Sequence, residues 1–271
     1  DPQTVESLRA FRETYPPRQI EVDGVTWEYV ALGQGEEAIL FLHGMSGAYD
    51  IWWQVMEALQ DRYRVISVTY PAVDTLEGLS RGVLAILDEE GVDRVTVVGS
   101  SLGGYLAQYL VATHPERIER AVFANTFPPN DLIIERTRTI GKLLPFLPEW
   151  LVMRTLRSSI LNDVYPAASG NAELVRAYLL EQAYGAMSKA QFVARYRCVV
   201  EPFTPPDVEA LGIPVLIIEA SNDPLVEEAL RDQLRETYPT ATVYQLEGVG
   251  HFPYLNEPEK YLRGLEDFLP E

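Results

Sequence analysis

The chain reads as an α/β protein with a mostly parallel central sheet, helices flanking it, and a helical insertion late in the fold. Three observations predict this. Short, nearly continuous apolar runs alternate with amphipathic segments, the pattern of a parallel sheet covered on both faces. One run ends on Gly99-Ser100-Ser101-Leu102-Gly103, a G-x-S-x-G stretch at a strand-to-helix turn. From Phe127 to about Asp207 the alternation stops and only helical patterns remain. A length of 271 residues accommodates one large domain with an insertion, or two small domains. The expected division is a core of residues 1–126 and 208–271 with a helical cap, or lid, at 127–207.

The first elements are alternating runs at 19–22 and 25–31, joined at Asp23-Gly24, a dipeptide suited to a two-residue hairpin turn. Strands are expected at 38–42, 64–69, 94–98 and 120–124, with helices over 49–59, 76–89 and 103–113 between them. The insertion shows four helical patterns, at 131–144, 148–160, 171–184 and 188–200. The last opens with Ser188 and Gln191 at capping-box spacing, and prolines punctuate the block and its edges. Strand 214–219, helix 226–237 and strand 242–246 restore the alternation. A closing helix follows, for which Asn256 is the expected N-cap with Pro258 in the first turn.

A serine on the turn of a G-x-S-x-G motif points its hydroxyl outward, but unaided it is a poor nucleophile. The motif therefore demands an acid and then a histidine further along. Three histidines are available. His114 stands at a helix end before a proline and reads as a surface residue. His43 follows strand 38–42 and reads as shaping its own turn. His251, in Gly248-Val249-Gly250-His251, follows the last strand at the edge where open α/β sheets bind ligands, which makes it the expected base. Asp223, between a strand and a helix, is the expected acid, ahead of Glu219; its ordinary alternative is an N-cap. The backbone N–H groups of Leu102 and of Met45, in the loop His43-Gly44-Met45-Ser46-Gly47, are the expected oxyanion donors. Trp52, Trp53, Phe127, Trp150, Tyr178, Tyr184 and Phe192 are candidates for an apolar substrate pocket, each with core packing as its ordinary alternative.

Composition narrows the partners. The formal net charge is −18, a field that disfavours nucleic acid and anionic membrane surfaces and suits a neutral or apolar substrate. Cys198 is the single cysteine, so no internal disulfide forms, in keeping with a reducing, cytoplasmic location. No signal peptide is visible, and no run approaches the ~18 apolar residues of a membrane span. No metal or organic cofactor is implied.

Together, His43-Gly44 after a strand, the elbow at 99–103, Asp223 and His251 resemble the α/β-hydrolase superfamily over nearly the full chain. The chain looks closest to the maspardin branch, through Phe11-Arg12 with Pro16, Tyr70-Pro71, Ser101-Leu102-Gly103-Gly104-Tyr105 and Phe252-Pro253-Tyr254-Leu255. That resemblance implies an α/β-hydrolase fold. Animal members of the branch keep the serine but lack the histidine at the position of His251, and are regarded as binding proteins; this chain has it. The expected function is a serine hydrolase of carboxylic esters. The alternatives are a C–C hydrolase or acyltransferase using the same triad, or a non-catalytic binding protein.

Overall fold

The computed structural model describes residues 2–270. Eight strands form one sheet: β1 (Arg18–Val22), β2 (Val25–Leu32), β3 (Ala38–Leu42), β4 (Arg64–Thr69), β5 (Val95–Ser100), β6 (Ile118–Ala124), β7 (Val215–Ala220) and β8 (Thr242–Leu246). Their order is β1-β2-β4-β3-β5-β6-β7-β8. β1 and β2 pair antiparallel, as do β2 and β4, while every other pair is parallel. The β1–β2 turn puts both Asp23 (φ 53°) and Gly24 (φ 76°) in the left-handed region, the geometry that matches the twist of a tight hairpin.

The inner strands are β-branched and apolar because both their faces are covered. Val98, Val122 and Ala124 point into one core layer with Phe41, Trp52, Met56 and Leu265. Val95, Val97, Ala121 and Phe123 point into the other with Leu79, Leu106 and Leu230. Period-two alternation thus divides single strands between two cores. Helices Trp53–Leu59 and Pro258–Glu266 lie over the first layer; Leu76–Glu89, Leu102–Thr113 and Glu228–Thr237 lie over the second.

Parallel register brings the carboxyl ends of five strands to one edge. Leu42 lies beside Gly99, Ser100 beside Ala124, Ala124 beside Ile218, and Ala220 beside Leu246. Consequently the loops after β3, β5, β6, β7 and β8 all open at that edge, although they are scattered along the sequence. Between β6 and β7 the chain is helical, with helices Asp131–Leu143, Glu149–Ser159, Ala172–Glu181 and Lys189–Val199. Ser188 and Gln191 form the expected capping box at the last of these.

Two elements differ from the sequence reading. A helix, Pro2–Thr14, precedes β1 and inserts Phe11 into the core. Its apolar positions are too few to stand out without the core they pack against. The closing helix Pro258–Glu266 has Glu257, not Asn256, at its N-cap. Asn256 is buried instead, donating through Nδ2 to the carbonyls of Ser169 (2.8 Å) and Val249 (2.9 Å). A buried amide N–H group goes where carbonyl acceptors already are, and that requirement outweighs cap preference.

Candidate active site

Ser101 leaves β5 with φ 55° and ψ −118°, a conformation that costs a β-substituted residue about 1–3 kcal/mol. The surrounding contacts hold it there. Its N–H donates to the Ala124 carbonyl (3.0 Å). Its carbonyl accepts the Thr126 hydroxyl (2.7 Å) and the Tyr105 N–H (3.0 Å). Glycine is required on either side by close approach: a Cβ on Gly99 would sit 2.1 Å from the Gly103 carbonyl oxygen, and one on Gly103 would sit 2.0 Å from that of Leu42. The helix Leu102–Thr113 can therefore start tight against the sheet.

His251 and Asp223 are both buried. The Nδ1 of His251 lies 2.8 Å from each carboxylate oxygen of Asp223. Asp223 also accepts the N–H groups of Leu225 (2.9 Å) and Val226 (3.0 Å) through Oδ1. Burial alone would raise the pKa of this carboxyl. The charge and hydrogen bond of His251, the amide of Asn125 and the Leu225 N–H outweigh it and hold the group below its ordinary value. An ionised Asp223 accepting from Nδ1–H leaves Nε2 as the lone-pair nitrogen of a neutral imidazole. Glu219, the rival acid, is buried at the end of β7 and paired with Arg235.

The other histidines have separate surroundings. The Nε2 of buried His43 accepts the Tyr70 N–H (3.3 Å), so its Nδ1 carries the proton and donates to the Gly44 carbonyl (2.6 Å). Burial, then the nearby Arg195 charge, keep its pKa well below the ordinary histidine value. His114 lies on the surface near Glu116.

Ser101 and His251 border one cavity of about 380 Å³, together with Gly44 and Met45 of the loop after β3. Its walls are largely apolar, from Phe127, Ile133, Val199, Leu225, Leu230 and Phe252. Such a space suits a small molecule. Arg136 and Glu227, paired at 2.7 Å and both solvent-facing, stand at its rim.

Of the seven aromatic pocket candidates, Phe127 lines this cavity. Trp52 and Trp53 are fully buried core residues, the former stacked on Tyr254 and the latter donating to the Ser7 hydroxyl (3.1 Å). Tyr178 is buried with its hydroxyl donating to Asp50. Trp150 and Tyr184 face solvent on the insertion, and Phe192 is half-buried away from the cavity. Aromatic residues maximise buried area wherever helices meet, so residue type alone did not separate wall from core.

Two residues at this site carry no functional expectation from the sequence. Asn125, directly after β6, adopts φ 43° and donates through Nδ2 to Asp223 Oδ2 (2.9 Å). Its one sequence signal is an asparagine at a strand end, a residue type that tolerates this backbone. Arg195, from helix Lys189–Val199, reaches into the loop after β3. It donates to the carbonyls of Met45 (2.7 Å), Gly47 (3.1 Å) and Tyr70 (3.0 Å). No carboxylate pairs with it among the described residues, and burial lowers its pKa to about 10, so it stays charged at neutral pH.

The chain resembles known proteins over most of its length. Residues 39–263 match the model of the alpha/beta hydrolase family. The chain is 28% identical to maspardin of Mus musculus over 257 residues, covering 90% of this chain and 80% of that protein. It is 26% identical over 261 residues to a pimeloyl-[acyl-carrier protein] methyl ester esterase of Aeromonas hydrophila, covering 88% and 96% respectively. Among solved structures, a hydrolase from Pseudomonas aeruginosa superposes with a TM-score of 0.80 at 21% identity, over 94% of this chain and 99% of that one.

Proposed function

The chain belongs to the alpha/beta hydrolase family, and from that premise we propose that it is a serine hydrolase acting on carboxylic esters. The observation that carries this reading is His251, paired with buried Asp223 and bordering the same cavity as a strained Ser101. His251 Nε2 takes the Ser101 proton as Oγ attacks the ester carbonyl. Asp223 holds the imidazole and balances the imidazolium. The N–H groups of Met45 and Leu102 receive the oxyanion, each worth about 2.7–4 kcal/mol in comparable enzymes. The imidazolium returns its proton to the leaving alcohol, an acyl-enzyme remains, and water activated by His251 releases the acid. The insertion forms the cap, and the apolar cavity walls favour a neutral ester of moderate size. An esterase among the similar proteins agrees with this choice of substrate class.

The test is labelling by a fluorophosphonate probe. Wild-type protein is expected to label, and Ser101→Ala and His251→Ala to lose the label while keeping the fold by circular dichroism. A folded wild-type chain that stays unlabelled and cleaves no ester would overturn the reading in favour of a binding role.

A further inference from the structure

Helix Asp131–Leu143 has no buried side chain among its thirteen residues, yet five of those residues are leucine or isoleucine. Ile133, Arg136 and Thr137 face the cavity. One turn further on, at helical spacing from Arg136, come Ile140 and then Leu143, each about half exposed. The proline-bounded turn that follows presents Phe146 at 86% exposure, and the first turn of helix Glu149–Ser159 presents Trp150 at 62%. An apolar stripe therefore runs outward from the cavity rim to a solvent-facing tip. Single exposed apolar residues are ordinary; four within eleven positions, across the end of one helix, a turn and the start of the next, are not.

The charge around the tip opposes that of the molecule. Between Arg136 and Arg157 the chain carries five arginine or lysine residues and one carboxylate, Glu149, in a protein with 22 basic and 40 acidic residues. Arg138, Lys142 and Arg154 are exposed, and none of them makes an ion pair among the described residues. The net charge that disfavours an anionic membrane is thus unevenly distributed, and the tip is the basic exception.

We propose that this tip docks on an anionic lipid surface, so that the cavity beside it takes its ester substrate from that surface; the second clause rests on the esterase reading above. Basic residues interleaved with Phe, Trp, Leu and Ile are the chemistry of an interfacial segment: the apolar groups enter the headgroup boundary while lysine and arginine meet lipid phosphate. A second copy of the chain fits less well, because a two-fold contact through the tip would set like charges against each other. The acidic remainder of the molecule is repelled by the same lipid and keeps the tip facing it.

The experiment uses the full chain carrying Ser101→Ala, so that docking is read without lipid turnover. Vesicles of phosphatidylcholine alone are compared with vesicles containing roughly a third phosphatidylglycerol, by co-sedimentation and tryptophan emission. Trp27, Trp52 and Trp53 are buried, so a blue shift reports Trp150. The expected result is binding at least about tenfold stronger to the anionic vesicles, weakened by salt, with a blue shift that Trp150→Phe removes. The double variants R138E/K142E and F146D/W150D, all at exposed positions, are expected to lose that preference with unchanged melting temperature. Equal or absent binding to both vesicles overturns the proposal, as does binding that both double variants retain. Self-association that the same variants abolish, without lipid binding, assigns the tip to a second copy. Lipid binding by a protein that the fluorophosphonate probe does not label preserves docking and overturns only the esterase reading.

Discussion

Ser101 and Asn125 are adjacent strand-end residues in the sheet, and both are held at positive φ. Strain at one such position is common at functional sites; here the second strained residue bonds Asp223, the acid of the proposed triad, rather than Ser101. Asn125 supplies one of the hydrogen bonds that keep buried Asp223 ionised, and a bond to a charged group is worth about 1.5–3 kcal/mol. Asn125→Ala is therefore expected to lower kcat by about ten- to a hundredfold with little change in KM. Stability follows the same carboxylate. A carboxyl whose folded pKa is depressed stabilises the fold above its unfolded value of about 3.9, and that contribution fades as pH falls through the folded value. Urea unfolding should accordingly show Asn125→Ala weaker than wild type at neutral pH, with the gap closing in acid below about pH 4.

At the scale of elements, helix Lys189–Val199 does more than close the insertion. Arg195 ties that helix to the carbonyls of Met45, Gly47 and Tyr70, and Gln191 adds a bond from Nε2 to the Tyr70 carbonyl (3.1 Å). The loop that carries the Met45 N–H is thereby clamped from the insertion side, while His43 holds it from the sheet side. Arg195→Met would leave buried carbonyls unpaired, at about 1–3 kcal/mol each. It is expected to lower the unfolding free energy by at least about 2 kcal/mol. In the proposed mechanism the Met45 N–H is an oxyanion donor acting in the transition state, so kcat should fall about tenfold or more while KM holds. A loss of stability with unchanged kcat would make Arg195 a purely structural clamp.

For the whole molecule, the cavity that Ser101 and His251 both border sets the reach of the proposed ester chemistry. At about 380 Å³ with mostly apolar walls, it has room for a compact ester and little for a long extended chain. On p-nitrophenyl esters graded from acetyl to palmitoyl in plain buffer, kcat/KM should be greatest for short and medium acyl groups and fall for the longest. A profile rising to palmitoyl would mean that the rim pair Arg136–Glu227 opens to extend the site. The insertion is fastened to the body at several further points. Tyr178 and Arg12 both bond Asp50, Asn222 donates to the Ala167 carbonyl (2.8 Å), and Tyr105 donates to that of Glu201 (2.7 Å). Helix Asp131–Leu143 is held more lightly, by the Arg136–Glu227 pair and by the Tyr196 hydroxyl on Thr137.

Local chemistry was enough to determine the strands, the hairpin at Asp23-Gly24, the turn at Ser101 and the helical character of the insertion. Each depends on periodicity or turn residues within a few positions. The order of Ser101, Asp223 and His251 along the chain was likewise legible, because each follows a recognisable strand. What folding alone decided spans long separations. Asn125 meets Asp223 across 98 positions and Arg195 meets Met45 across 150, and such pairings leave no periodic trace in the sequence. The same reason sends Trp52 and Trp53 to the core, Phe127 to the cavity, and Phe146 and Trp150 to solvent. Hydrophobicity states that an aromatic side chain gains by burial, whereas the packing of distant elements decides which of them obtain it.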